Sequence, residues 1–114
     1  MRVSIVLAAL LMSEPALAHA MLEHASPAAG AEIRPAPSTV ILQFSEQLEP
    51  SFCKLEVRTP GGSSVSAAPY VAGAMMQVRL KPLNAGTYRV VWHAVSVDTH
   101  VTDGSFSFTV KNII

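Results

Sequence analysis

Apolar and polar residues alternate in short runs along most of this chain. Val40, Leu42 and Phe44 share one side of an extended segment while Ile41 and Gln43 take the other, the period-two pattern of a half-buried strand. Tyr88, Val90, Trp92 and Ala94 alternate in the same way with Arg89, Val91 and His93, and Phe106, Phe108 and Val110 stay in step near the end. No segment repeats apolar residues at spacings of three and four over helical length. The pattern predicts strands over residues 20–25, 39–44, 52–58, 65–68, 76–80, 87–94 and 105–110. Turn chemistry separates them: Ser26-Pro27-Ala28-Ala29-Gly30, the prolines at 35 and 37, Pro50, Pro60-Gly61-Gly62 and Asn84-Ala85-Gly86. About seven strands, each with one apolar face, need a second sheet to cover them. The expected fold is therefore all-β, an immunoglobulin-like Greek-key β-sandwich of two antiparallel sheets, with Phe44, Trp92, Phe106 and Phe108 in its core. A closed barrel of so few short strands would enclose too little space.

Residues 1–18 stand outside this pattern. Arg2 is followed by an unbroken apolar run to Met12, Ser13-Glu14-Pro15 ends it, and Ala16-Leu17-Ala18 supplies small residues two apart. The run is too short to span a bilayer and has the organisation of a cleavable export signal. Residues 1–18 are thus read as a signal peptide and 19–114 as the mature domain. Cleavage after Ala18 makes His19 the first residue and frees its α-amine, which can close a six-membered chelate with Nδ1 of the same side chain. The competing reading is cleavage elsewhere, which leaves His19 as one more polar residue near a terminus.

Charge and cysteine usage narrow the function. Eight Lys plus Arg balance eight Asp plus Glu, so nothing favours nucleic acid or an anionic membrane surface. After the leader no long apolar run remains, and the mature chain is expected to be soluble, without membrane insertion. The single cysteine, Cys53, excludes an internal disulfide and is favoured as a small buried hydrophobe beside Leu55 and Val57.

The candidate chemistry lies in Ser96-Val97-Asp98-Thr99-His100, between the two most strongly β-forming runs. If the backbone there is extended, Asp98 and His100 project to the same side, as two ligands of one ion would. The alternative is a solvated turn closed by an Asx hydrogen bond. In a sandwich this loop emerges at one rim, and if the first strand begins at the same rim His19 comes beside it. An amine, two imidazoles and a carboxylate form a thiolate-free donor set suited to tetragonal Cu(II), with Zn(II) able to use the same ligands.

With these residues on view, the chain resembles a known family. His19-Ala20-Met21-Leu22, Ser26-Pro27-Ala28-Ala29-Gly30, Leu42-Gln43-Phe44-Ser45-Glu46, Ala85-Gly86-Thr87-Tyr88-Arg89-Val90-Val91-Trp92 and residues 95–108 together are similar to the CopC copper-resistance family, over essentially the whole mature chain. The resemblance implies a small periplasmic β-sandwich that binds Cu(II) through His19, Asp98 and His100. It also implies a membrane copper-transport or other copper-handling protein as partner. Glu46, at the family's Phe-Ser-Glu position, is expected close to the ion, either orienting a ligand from the outer shell or standing as a solvated charge at a strand end.

The chain departs from the family in one respect. Some members carry a methionine-rich loop for Cu(I), whereas residues 62–74 here contain no methionine. Met75 and Met76 are adjacent and so point to opposite faces of a strand, and Met21 is expected to be packed. One Cu(II) site and no dedicated Cu(I) site are therefore expected, with His24 and His93 outside the ligand set. The function implied is copper binding for resistance, trafficking or delivery, without catalysis. Two other classes remain in view: a histidine-brace copper oxidase or oxygenase, against which the anionic Asp98 counts, and a metal-free immunoglobulin-like interaction module.

Overall fold

A computed structural model describes residues 21–112. Residues 1–18, expected to be a signal peptide, and His19 lie outside the described residues. Among the described residues eight strands run in chain order: β1 (Leu22–Ser26), β2 (Glu32–Ile33), β3 (Thr39–Phe44), β4 (Lys54–Arg58), β5 (Tyr70–Ala72), β6 (Met75–Arg79), β7 (Gly86–Val95) and β8 (Val101–Val110), with a one-turn 3-10 helix at Pro50–Phe52 before β4. They form two four-stranded sheets, ordered β1-β3-β6-β5 and β2-β8-β7-β4. This is the expected sandwich. No helix among the described residues is long and apolar enough to cross a membrane.

The alternation seen in the sequence builds the core. Val40, Leu42 and Phe44 of β3 face Leu55 and Val57 of β4, Tyr88, Val90 and Ala94 of β7, and Phe108 and Val110 of β8, all buried. Burial of such side chains contributes about 1.5–3 kcal/mol each before entropy is charged against it. Tyr88 is tolerated in this core because its hydroxyl donates to the Asn84 carbonyl at 2.8 Å. Cys53 is buried as expected, and its backbone neighbour Val95 donates to Sγ at 3.4 Å. Of the four aromatics placed in the core, Phe44 and Phe108 are fully covered, while Trp92 and Phe106 pack at its margin. Trp92 lies over Gly104 of β8, with its ring centroid 6.2 Å from Phe44 and 6.0 Å from Phe106.

Several boundaries differ from the sequence reading. The stretch 65–68 forms a single isolated bridge, Ser66 to Leu80, just after one from Ser64 to Arg58; the edge strand is instead β5, hydrogen-bonded to β6. The two-residue β2 pairs in parallel with the end of β8, so the second sheet is not wholly antiparallel. Strand β8 begins at Val101, four residues before the expected start. Asp103 and Gly104 are paired with His93 and Trp92 inside the ladder.

Candidate metal centre

The long β7–β8 hairpin sets the position of the candidate centre. Val95 pairs with Val101, so residues 96–100 close the hairpin at one rim of the sandwich. The loop is tied internally: Ser96 N–H donates to the His100 carbonyl at 2.9 Å, Thr99 N–H donates to the Ser96 carbonyl at 2.8 Å, and His100 N–H donates to Ser96 Oγ at 3.1 Å. Ser96 is the only buried polar residue among those described, which fits a side chain whose hydroxyl is occupied by the loop it holds.

Of the two conformations the sequence left open for this loop, extended or turned, it takes the turn. Thr99 has φ of 68°, in the left-handed region, so Asp98 and His100 are brought together by a reversal of the chain rather than by strand alternation. A second segment completes the arrangement. Leu48 bridges to Ser96, and Val97 N–H donates to the Gln47 carbonyl at 2.9 Å. Those bonds hold the end of β3 against the hairpin loop and deliver Glu46 to it. Glu46, Asp98 and His100 each offer one ligand atom, all within 4.8 Å of one another. His100 Nδ1 lies 3.4 Å from Glu46 Oε1.

Asp98 is exposed, whereas Glu46 and His100 are half-buried. The three donors are oxygen and nitrogen, and Cys53 is held elsewhere by Val95, so the set suits a borderline ion such as Cu(II) or Zn(II) better than Cu(I). Glu46 thus stands at the cluster, near the place of the ion, as the family resemblance implied. It is 52 residues from Asp98 in the chain, and only the contact between the two segments brings it in.

The start of the described chain reaches the same rim. Met21 N–H donates to Ser45 Oγ at 2.8 Å, and Ser45 N–H donates to the Met21 carbonyl at 2.8 Å. Met21 itself is exposed, contrary to its expected packing. Met76 is buried and Met75 half-buried on alternate faces of β6, as adjacent strand residues must be. His24, on β1, is exposed. His93 Nδ1 is 2.5 Å from Asp103 Oδ1 on the outer face of the second sheet, and neither histidine joins the cluster.

Fold and cluster together define an immunoglobulin-like sandwich domain with an oxygen- and nitrogen-donor centre at one rim. Residues 22–111 match the model of the CopC domain, and this chain belongs to that family. It is similar to copper resistance protein C of Xanthomonas campestris pv. juglandis, 40% identical over 117 residues that cover 94% of this chain and 91% of the relative. The crystal structure of CopC from Methylosinus trichosporium OB3b matches with a TM-score of 0.79 at 25% identity, covering 84% of this chain and 97% of that one. PcoC, a methionine-rich copper resistance protein from Escherichia coli, matches with a TM-score of 0.70 at 37% identity, covering 82% and 100%.

Proposed function

We propose that the exported form of this chain begins at His19 and holds one Cu(II) ion in the periplasm through His19, Asp98 and His100, for copper resistance or delivery. The observation that carries this reading is the meeting of Glu46, Asp98 and His100 within 4.8 Å at the rim where Met21 is fastened to Ser45. His19 precedes Met21 by two residues, a reach of up to about 7 Å of extended chain. The amine and Nδ1 of His19 form one chelate, His100 adds an imidazole, and Asp98 offsets the charge of the ion. Glu46 accepts from His100 Nδ1–H, which fixes the ring and assigns Nε2 to the metal. Copper is the cargo here, and holding or passing it on requires no redox cycle and no catalytic residue. Acid weakens the site, because the amine and both imidazoles must shed protons to bind. The cargo is received from or passed to a membrane copper-handling protein.

The decisive comparison is between protein that starts at His19 and protein carrying one additional residue before it. The extension removes the free amine and leaves every side chain in place. Competition titration with a Cu(II) chelator should show a loss of at least about a hundredfold in affinity, or ~2.8 kcal/mol. Equal affinities would remove the amine from the site and with it this reading.

A further inference from the structure

The chain is neutral by count, yet the fold sorts its charges along the strand axis. Strands β1, β4 and β8 start, and β3, β5 and β7 end, toward the rim that carries the candidate centre. In that half stand Glu23, Glu46, Glu49, Asp98 and Asp103, against one described cation, Lys54, a formal side-chain charge of −4. The other half holds Arg34, Arg58, Arg79, Lys81, Arg89 and Lys111 against Glu32 and Glu56, a formal charge of +4. There Glu32 lies 3.3 Å from Lys111 and Glu56 lies 2.5 Å from Arg58.

Exposed apolar side chains follow the same division. Met21, Phe52, Val97 and Val101 are four of the five large hydrophobics exposed among the described residues. All four stand at the acidic end. Met21 is bonded to Ser45, beside Glu46. Val97 is bonded to Gln47, and Val101 follows His100. Phe52 N–H donates to the Glu49 carbonyl, and Glu49 N–H to the Val95 carbonyl. The fifth, Tyr70, lies on the edge strand β5. Scattered singly, such residues would need no explanation; gathered around one site with a single sign of charge, they have the composition of a contact surface.

We infer that this acidic, apolar-studded end is the docking surface for a partner protein that presents an apolar patch ringed by lysine or arginine, and that Cu(II) crosses this contact by ligand exchange without change of oxidation state. The inference rests on the copper reading above. With the +2 of the bound ion counted, the formal charge of −4 at this end becomes −2, so charge complementarity still selects a cationic partner and raises its encounter rate. Asp98 is exposed and His100 only half-buried, so incoming donors can reach the ion before the old ones leave. A second copy of this chain fits the surface poorly. Its basic end offers the opposite charge but, among the described residues, no cluster of exposed large apolar side chains, with only Tyr70 on the edge strand lying away from the acidic rim.

The test uses mature protein loaded with Cu(II) and two synthetic acceptor peptides. Both peptides carry the same histidine chelating core and the same leucine–phenylalanine patch, flanked by lysines in one and by glutamates in the other. In stopped flow at about 20 mM salt the lysine peptide should take copper at least about tenfold faster, and the advantage should vanish at about 500 mM. Combined Glu23→Lys and Glu49→Lys, neither in the candidate centre, should erase that advantage while leaving chelator-titrated copper affinity unchanged. Phe52→Ser with Val101→Ser should slow both peptides. Equal rates for the two peptides at low salt would overturn the docking inference and leave the copper reading intact. Failure of the unsubstituted protein to take up Cu(II) would instead overturn that earlier reading. Concentration-dependent dimers in sedimentation at low salt would identify a second copy as the occupant and refute a distinct partner.

Discussion

Replacing Ser96 with alanine isolates the contribution of loop order to metal affinity. The Ser96 hydroxyl is buried and accepts the His100 N–H at 3.1 Å, so Ser96→Ala removes the acceptor and changes no donor of the candidate centre. A hydrogen bond of this kind contributes about 0.5–1.5 kcal/mol net, and a buried N–H left without its acceptor costs about 1–3 kcal/mol. The backbone bonds from Ser96 to His100 and from Thr99 to Ser96 persist, which limits the damage to the upper part of the loop. We expect a loss of about 1–2 kcal/mol in folding stability. The loop that carries Asp98 and His100 must then be reordered when the ion binds, so the same energy appears in binding. At 1.4 kcal/mol per decade, the Cu(II) dissociation constant should rise by about five- to thirtyfold. Urea unfolding followed by tryptophan fluorescence measures the first quantity, and competition titration with a Cu(II) chelator the second. An affinity within about twofold of the unsubstituted protein would show that the bond does not hold the ligands, and the reasoning fails.

Two further substitutions probe the frame around the centre. At Gly104 an added Cβ would lie 2.2 Å from a ring carbon of Trp92, and Trp92 is hemmed in by Phe44 and Phe106. Gly104→Ala should therefore destabilise by about 1–3 kcal/mol and shift the tryptophan emission, whereas an unchanged urea midpoint would mean that the ring moves aside freely. Thr99 is a β-branched residue at φ 68°, a conformation that asparagine adopts more readily. Thr99→Asn should raise stability by about 0.5–1 kcal/mol without weakening copper uptake, as read by calorimetry and chelator titration.

Much of the sandwich follows from local pattern. In β3, β4 and β7 the alternation of apolar and polar residues, bounded by proline and glycine, was enough to find each strand, because burying one face of a sheet requires that period. The signal was absent where too few residues repeat it. Strand β2 has two residues and β5 three, and both exist only because β8 and β6 offer open edges. Asp103 and Gly104 have loop character in the sequence, yet they lie in β8 because β7 continues opposite them.

The candidate centre divides along the same line. Asp98 and His100 could be singled out from their spacing and their place between two strong strands. The turn at Thr99, and with it the way their side chains converge, depends on the hairpin closing over Ser96. Glu46 comes into the cluster through the contacts of residues 47 and 48 with residues 96 and 97, a meeting of distant segments that no local pattern encodes. Net charge was legible as zero from composition alone. Its separation into an acidic end at the candidate centre and a basic far end was not, because charges scattered through the sequence acquire a direction only when the strands align.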